Sequence, residues 1–164
     1  HFKLIGMIKI FFLSVVMITL VQKSFSQNNP DQIVGRWMST ENNLAVEIFK
    51  TGSNYKAQVV WFDDSDDKTR AMNTRCDWKN PDENSRARKI IGLEVMHGLV
   101  YNEMNNDWED GRIYDPNSGK FWNAKACFTK GELLKVRGYW GFPLLGKDIL
   151  FKKILATNYL ITTK

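Results

Sequence analysis

Past Pro30 the dominant signal in the chain is alternation with a period of two. Leu44, Val46 and Ile48 alternate with Ala45, Glu47 and Phe49. After Thr51-Gly52-Ser53, Tyr55, Ala57, Val59 and Trp61 alternate with Lys56, Gln58, Val60 and Phe62. Trp122, Ala124, Ala126 and Phe128 repeat the pattern against Phe121, Asn123, Lys125 and Cys127. Beyond Thr129-Lys130-Gly131, so do Leu134, Val136, Gly138 and Trp140. Two-residue periodicity bounded by Gly, Asn and Asp turns is the hairpin signature. It predicts strands near 34–40, 43–50, 54–62, 89–96, 98–103, 108–114, 120–129 and 132–140, and a ninth at 148–155 if the chain closes with one. Short connections imply antiparallel neighbours, and so many strands must close or stack to leave no open edges. The expected class is all-β, a small antiparallel up-and-down barrel of about eight or nine strands, with a sandwich as the alternative. One connection breaks the rule of short turns: Asp63 to Arg88 is a long polar excursion, and loops of that length are usually functional or mobile.

The first residues read as an address. Ile10 to Val21 are uncharged but too few to span a bilayer, which takes roughly 20 residues. They suit the apolar region of a signal peptide, with Lys9 ahead of them and small residues at Ser24 and Ser26 for cleavage. The expectation is a signal peptide over 1–26, started at Met7 and cleaved near Ser26/Gln27. One domain over 27–155 and a tail over 156–164 follow it. The protein is then periplasmic or secreted, with no stable membrane span after cleavage. This segment also changes the meaning of the charge. The chain carries 23 Lys+Arg and 18 Asp+Glu, a net of +5, but Lys3, Lys9 and Lys23 all precede Gln27. The remainder stands near balance, which argues against a nucleic-acid partner. In an oxidising compartment Cys76 and Cys127 can pair only with each other; two free thiols are the alternative.

Little in the sequence supports catalysis. Beyond Gln27, His97 is the lone histidine, and it precedes Gly98 at what reads as a turn. Two distant cysteines and one histidine have no zinc spacing. The acidic run Asp63–Asp67 fails the EF-hand pattern, because Lys68 and Thr74 stand where Gly and Glu are needed. No cofactor or metal is indicated. The aromatics say more. All six Trp lie beyond Gln27, most on the apolar phase of their strands, where core packing is the default. Trp78, between Asp77 and Lys79 in the long loop, is a candidate lid or stacking platform. Trp122-Ala124-Ala126-Phe128 sets small residues between large ones, which either leaves room for a ligand inside an eight-stranded barrel or accommodates side chains from the opposite wall.

Gly35-Arg36-Trp37 resembles the G-x-W signature of lipocalins, in which the Trp closes one end of the barrel against a basic side chain from a late strand. By that analogy Arg137 stacks on Trp37. Three further stretches extend the likeness. They are Asn80-Pro81-Asp82 through Ile91-Gly92-Leu93, Trp108-Glu109-Asp110-Gly111-Arg112-Ile113-Tyr114-Asp115-Pro116-Asn117-Ser118-Gly119-Lys120, and Leu134-Lys135-Val136-Arg137-Gly138-Tyr139 through Gly146-Lys147. In this order they resemble the bacterial family called domain of unknown function 2147, over about residues 33–155. The resemblance implies a small exported protein with a lipocalin-like (calycin) barrel, and it supplies no catalytic residue. Its patterned positions fall on Trp37, Asp77, Asn80, Pro81, Arg88, Gly92, Gly111, Tyr114, Asp115, Pro116, Gly119, Lys120, Arg137 and Gly138. Lys147-Asp148 and Phe151 depart from the usual residues.

Tyr114-Asp115-Pro116-Asn117-Ser118-Gly119-Lys120 has a structural reading as a turn. Asp77, Asn80, Arg86 and Arg88 are harder to explain that way: an Asp–Arg pair can pin the long loop to the barrel or orient the polar end of a ligand at its mouth. The candidate ligand-binding residues are Asp77, Trp78, Asn80, Arg88, Tyr114, Trp122 and Arg137. Three functions remain open: binding of a small, partly apolar or amphipathic ligand; an envelope protein- or glycan-interaction module with a packed barrel; and an enzyme on envelope sugars, for which no mechanism can be assigned.

Overall fold

A computed structural model describes residues 29–154. Eight antiparallel strands close into one barrel in simple sequence order: β1 (Gly35–Ser39), β2 (Leu44–Thr51), β3 (Asn54–Phe62), β4 (Glu94–Asn102), β5 (Asp107–Asp115), β6 (Lys120–Phe128), β7 (Leu134–Tyr139) and β8 (Gly146–Lys153). β8 pairs back onto β1. The expected signal peptide over 1–26 and tail over 156–164 lie outside the described residues. Among the described residues no helix is long and apolar enough to cross a membrane.

The count is eight rather than nine because the strands expected at 89–96 and 98–103 are one. Gly98 takes φ +77° inside β4, a conformation that glycine adopts without a Cβ penalty. The strand passes through its bend instead of ending there. A second irregularity moves Trp61. The β2–β3 register slips between Ala45 and Val46, so Trp61 faces Ala45 and Phe62 faces Leu44. The simple alternation through Tyr55, Ala57 and Val59 therefore fails at Trp61, as it must across a bulge.

The inward phase of the strands builds the core. Trp37, Val46, Ile48, Tyr55, Ala57, Met96, Leu99, Trp108, Ala126, Leu134, Val136 and Phe151 are all buried in one cluster. Aromatic rings fill one end: Trp37–Phe128 at 5.8 Å, Trp108–Phe128 at 5.7 Å, Tyr101–Trp108 at 5.3 Å and Tyr55–Trp108 at 6.3 Å between centroids. Small residues make room for large ones. A Cβ on Gly111 would lie 2.6 Å from a Leu99 methyl and 3.3 Å from Ala124, so Leu99 occupies the space over β5.

That end is sealed by the 3₁₀ turn Pro30–Ile33. Asn29 caps it by accepting from the Asp31 N–H at 2.9 Å. Trp37 Nε1 donates to the Ile33 carbonyl at 2.8 Å. Asp31 Oδ1 accepts from the Tyr55 hydroxyl at 2.6 Å and from Lys50 Nζ at 2.7 Å. The cation over Trp37 is Lys153, with Nζ 5.2 Å from the ring centroid and 3.0 Å from the Gln32 carbonyl it donates to. Arg137 does not stack there. The register explains the correction: Lys153 on β8 lies opposite Trp37, whereas β7 pairs with β6 and β8 and not with β1.

Toward the other end the interior opens. Phe151 and Ile149 share the inward phase of β8, opposite Leu134 and Val136, but Phe151 is 4% exposed and Ile149 40%. The barrel is filled at the sealed end and accessible at its mouth.

Candidate functional site

The mouth is ringed by four connections: Thr40–Asn43, the long β3–β4 loop, the β5–β6 turn and the β7–β8 loop. The long loop is ordered by its own polar groups. Its acidic run is tied up internally. Arg75 pairs with Asp66 at 2.8 Å and donates to the carbonyls of Asp64 and Asp67. The Thr69 hydroxyl first, and Arg70 next, hold the Asp67 carboxyl down to about 2. Among the described residues no group of three or more His, Cys, Asp or Glu side chains is gathered to hold a metal. Cys76 and Cys127 are both free: Cys76 lies in the loop opposite Lys89, and Cys127 on β6 opposite Lys135.

Beyond Arg75 the chain forms a short ribbon with its own return. Asp77 N–H donates to Arg88 O at 2.9 Å, and Ile90 N–H to Arg75 O at 3.1 Å. This ribbon brings Asp77 onto the outer face of β5. Tyr114 lies on the phase opposite to Ile113, which packs against the core with Met96. Its hydroxyl donates to Asp77 Oδ1 at 2.6 Å, and Asn80 Nδ2 donates to Oδ2 at 2.6 Å. Asp77 is fully buried, and Asn80 and Tyr114 nearly so. Arg88 stands farther off, 3.9 Å from Oδ2, and is mostly exposed. Asn80 also accepts from Asp82 N–H at 2.9 Å, and its carbonyl from Arg86 Nε at 2.9 Å. Four of the residues singled out by sequence thus converge, with Arg86 beside them, and every polar contact they make is to another part of the protein. The knot pins the loop to the barrel wall.

The knot has a pH signature. Burial first, and then the bond to Asp77, hold the Tyr114 phenol well above its ordinary value. Tyr55 moves the same way, from burial and then Asp31. A tyrosine raised in the folded state contributes its full stability below its unfolded pKa of about 10 and loses it as pH climbs through the folded value. The barrel is expected to lose stability from about pH 10 upward, and Tyr114→Phe to lose it less steeply. Denaturant melts across that range check this; equal slopes for the two proteins would exclude Tyr114 as a source.

The remaining candidates lie elsewhere on the mouth. Trp78 follows Asp77 directly but points away from the knot and is 62% exposed. Arg137 spends three of its five N–H donors on the protein: Nη1 pairs with Asp148 at 2.7 Å, and Nε and Nη2 donate to the carbonyls of Pro143 and Leu144. Trp122 lines an open cleft of about 650 Å³ together with Trp140, Phe121, Arg112 and Lys120. Trp122 and Trp140 meet edge to face at 6.0 Å. The Arg112 guanidinium lies 5.3 Å from the Phe121 ring, and Phe121 in turn contacts Tyr114 at 4.9 Å, which joins the cleft to the knot. Sequence reasoning missed Arg112, Lys120 and Phe121 as a group because Phe121 lies on the phase opposite to Trp122 and Arg112 comes from a different strand. Trp140 did carry a signal, as the last member of the Leu134-Val136-Gly138 alternation. Among the described residues two buried side-chain polar atoms lack a hydrogen-bond partner, Asp107 Oδ1 and Trp108 Nε1.

An eight-stranded closed barrel with one end sealed by a G-x-W tryptophan under a late-strand cation, and the other end open, defines a lipocalin-like protein. The chain belongs to the bacterial family described as "Uncharacterized protein conserved in bacteria (DUF2147)", whose family model matches residues 35–153. Among solved structures it is similar to protein HP1028 from the human pathogen Helicobacter pylori, which is described as belonging to the lipocalin family. The identity is 18%, the TM-score 0.64, and the match covers 77% of this chain and 85% of the other. At that identity the likeness carries the fold alone. Among curated proteins no significant match is found.

Proposed function

We propose that this protein is an exported binding protein for a small, partly apolar ligand held at the open mouth of its barrel. The observation that carries the reading is the cleft of about 650 Å³ lined by Phe121, Trp122 and Trp140 and bordered by Arg112 and Lys120. That volume lies within the roughly 300–1,000 Å³ of small-molecule sites, which are mostly apolar with a few placed polar groups. Three aromatic rings favour an apolar or aromatic body, and two cations favour an anionic end. Export is supported by the uncharged run Ile10–Val21 after Lys9, with Ser24 and Ser26 placed for cleavage.

An anionic aromatic dye, 1-anilinonaphthalene-8-sulfonate, is a suitable probe. The protein is expected to bind it, and Trp122→Ala to weaken binding about tenfold, the scale of a truncated aromatic anchor. Native mass spectrometry of protein purified from its own cells is expected to show a retained small molecule. Dye binding unchanged by Trp122→Ala, together with a bare protein mass, would refute the reading.

A further inference from the structure

The β7–β8 loop is the most apolar exposed surface among the described residues. Trp140, Phe142, Leu144 and Leu145 are 69%, 76%, 87% and 72% exposed, and no charged residue interrupts Gly138 to Gly146. Contiguous apolar surface of this kind on a water-soluble fold marks an interaction site. The loop is not a slack segment. Arg137 reaches under it and donates to the carbonyls of Pro143 and Leu144, while Leu145 N–H donates to Phe142 O at 3.0 Å. The carbonyls of Phe142, Pro143 and Leu144 and the Leu145 N–H are thus met within the protein while the side chains stand outward. Such pairing lowers the cost of approaching hydrocarbon, where an unmet carbonyl or N–H costs several kcal/mol.

The charges around the loop point the same way. Arg112 and Lys120 flank Trp140 across the cleft, and Lys147 follows the loop; all three are exposed. Of the acids near them, Asp148 pairs with Arg137, and Asp115 stands opposite Lys120, so three cations face one otherwise unpaired carboxylate and the surround is net positive. We infer that the β7–β8 loop is a membrane-docking element, inserting Phe142, Leu144 and Leu145 at the surface of an anionic lipid bilayer while Arg112, Lys120 and Lys147 meet the headgroups. Exposed apolar side chains with a basic surround are the pattern of interfacial binding, and Trp suits the headgroup depth of Trp140. Docked this way, the open mouth faces the lipid. This inference does not need the cleft to hold a ligand, because the three inserting side chains do not line it.

Vesicle co-sedimentation tests it. The probes are phosphatidylcholine vesicles with and without phosphatidylglycerol, and the protein is the chain from Gln27, which contains the whole closed barrel. Binding is expected on the anionic vesicles, weakened by added salt. It should fall about tenfold or more in the triple variant Phe142→Ser, Leu144→Ser, Leu145→Ser, which removes three apolar side chains. Since these residues are exposed, the variant should melt with the parent protein and retain its dye binding. The variant Lys147→Gln, which lies outside the cleft, should weaken the preference for anionic lipid while dye binding is kept. No binding to either vesicle would overturn the inference. So would a dimer in sedimentation that the triple variant abolishes while vesicle binding is unchanged, which would give the loop to a second copy of the chain.

Discussion

Asp77→Ala is expected to cost the fold about 3–5 kcal/mol, the range for stripping one partner from a buried polar network. Asp77 is fully buried, and both carboxyl oxygens accept: Oδ1 from Tyr114, Oδ2 from Asn80. Alanine leaves both donors buried and unpartnered, and each orphan costs about 1–3 kcal/mol. It also removes the side chain that joins the long loop to β5. Hydrogen exchange should rise across 76–92 while strands β6 and β7 keep their protection. Asp77→Asn should be intermediate, since an amide can still accept from Tyr114 but presents its own N–H₂ to that of Asn80. Urea melts give the magnitude; a loss under about 1 kcal/mol for alanine would mean that the knot does not hold the loop.

Gly119→Ala should be comparably severe for a different reason. A Cβ there would lie 2.0 Å from the Lys79 carbonyl oxygen, and the residue has φ +71°. The obstacle is backbone, so no rotamer change relieves it, and the left-handed conformation adds strain for any residue with a side chain. A loss of about 3–4 kcal/mol is expected from overpacking and strain together. Because the contact joins the β5–β6 turn to the same loop that Asp77 secures, the two variants act on one event. The double variant should lose little more than the worse single one, where independent sites would add. Strict additivity in urea melts would show that the turn and the knot hold different things.

These sites show how far the sequence could be read. The strands were legible because each presents one face to the core, and period-two alternation records that face directly. The failures sit where local geometry breaks the period. Gly98 bends β4 without ending it, and the slip at Ala45/Val46 puts Trp61 out of step. Periodicity says which face a residue occupies but not which strand lies beside it, so the basic partner of Trp37 was sought on β7 when closure places β8 there. Asp77, Asn80, Arg86 and Arg88 are recognisable as polar residues without a turn to explain them, whereas Tyr114 reads as the start of a turn. That Asp77 and Tyr114 share a hydrogen bond depends on the path of the long loop, which no local pattern encodes. The cleft was least legible, because its lining comes from both phases of β6 and from a neighbour on β5.

The seam of the barrel carries a consequence of its own. β1 and β8 meet through three residue pairs, Trp37 with Lys153, Met38 with Lys152 and Ser39 with Phe151. They are the first and last strands of the barrel, so the ring cannot shut until β8 has been synthesised. Contacts of such long sequence separation pay their loop-closure entropy before they gain anything, which makes folding slow. Until then β1 has an unpaired edge and Trp37 lacks the cation that covers it. A nascent chain of this design stays open until β8 has emerged, and Lys153 is the latch that this last strand brings.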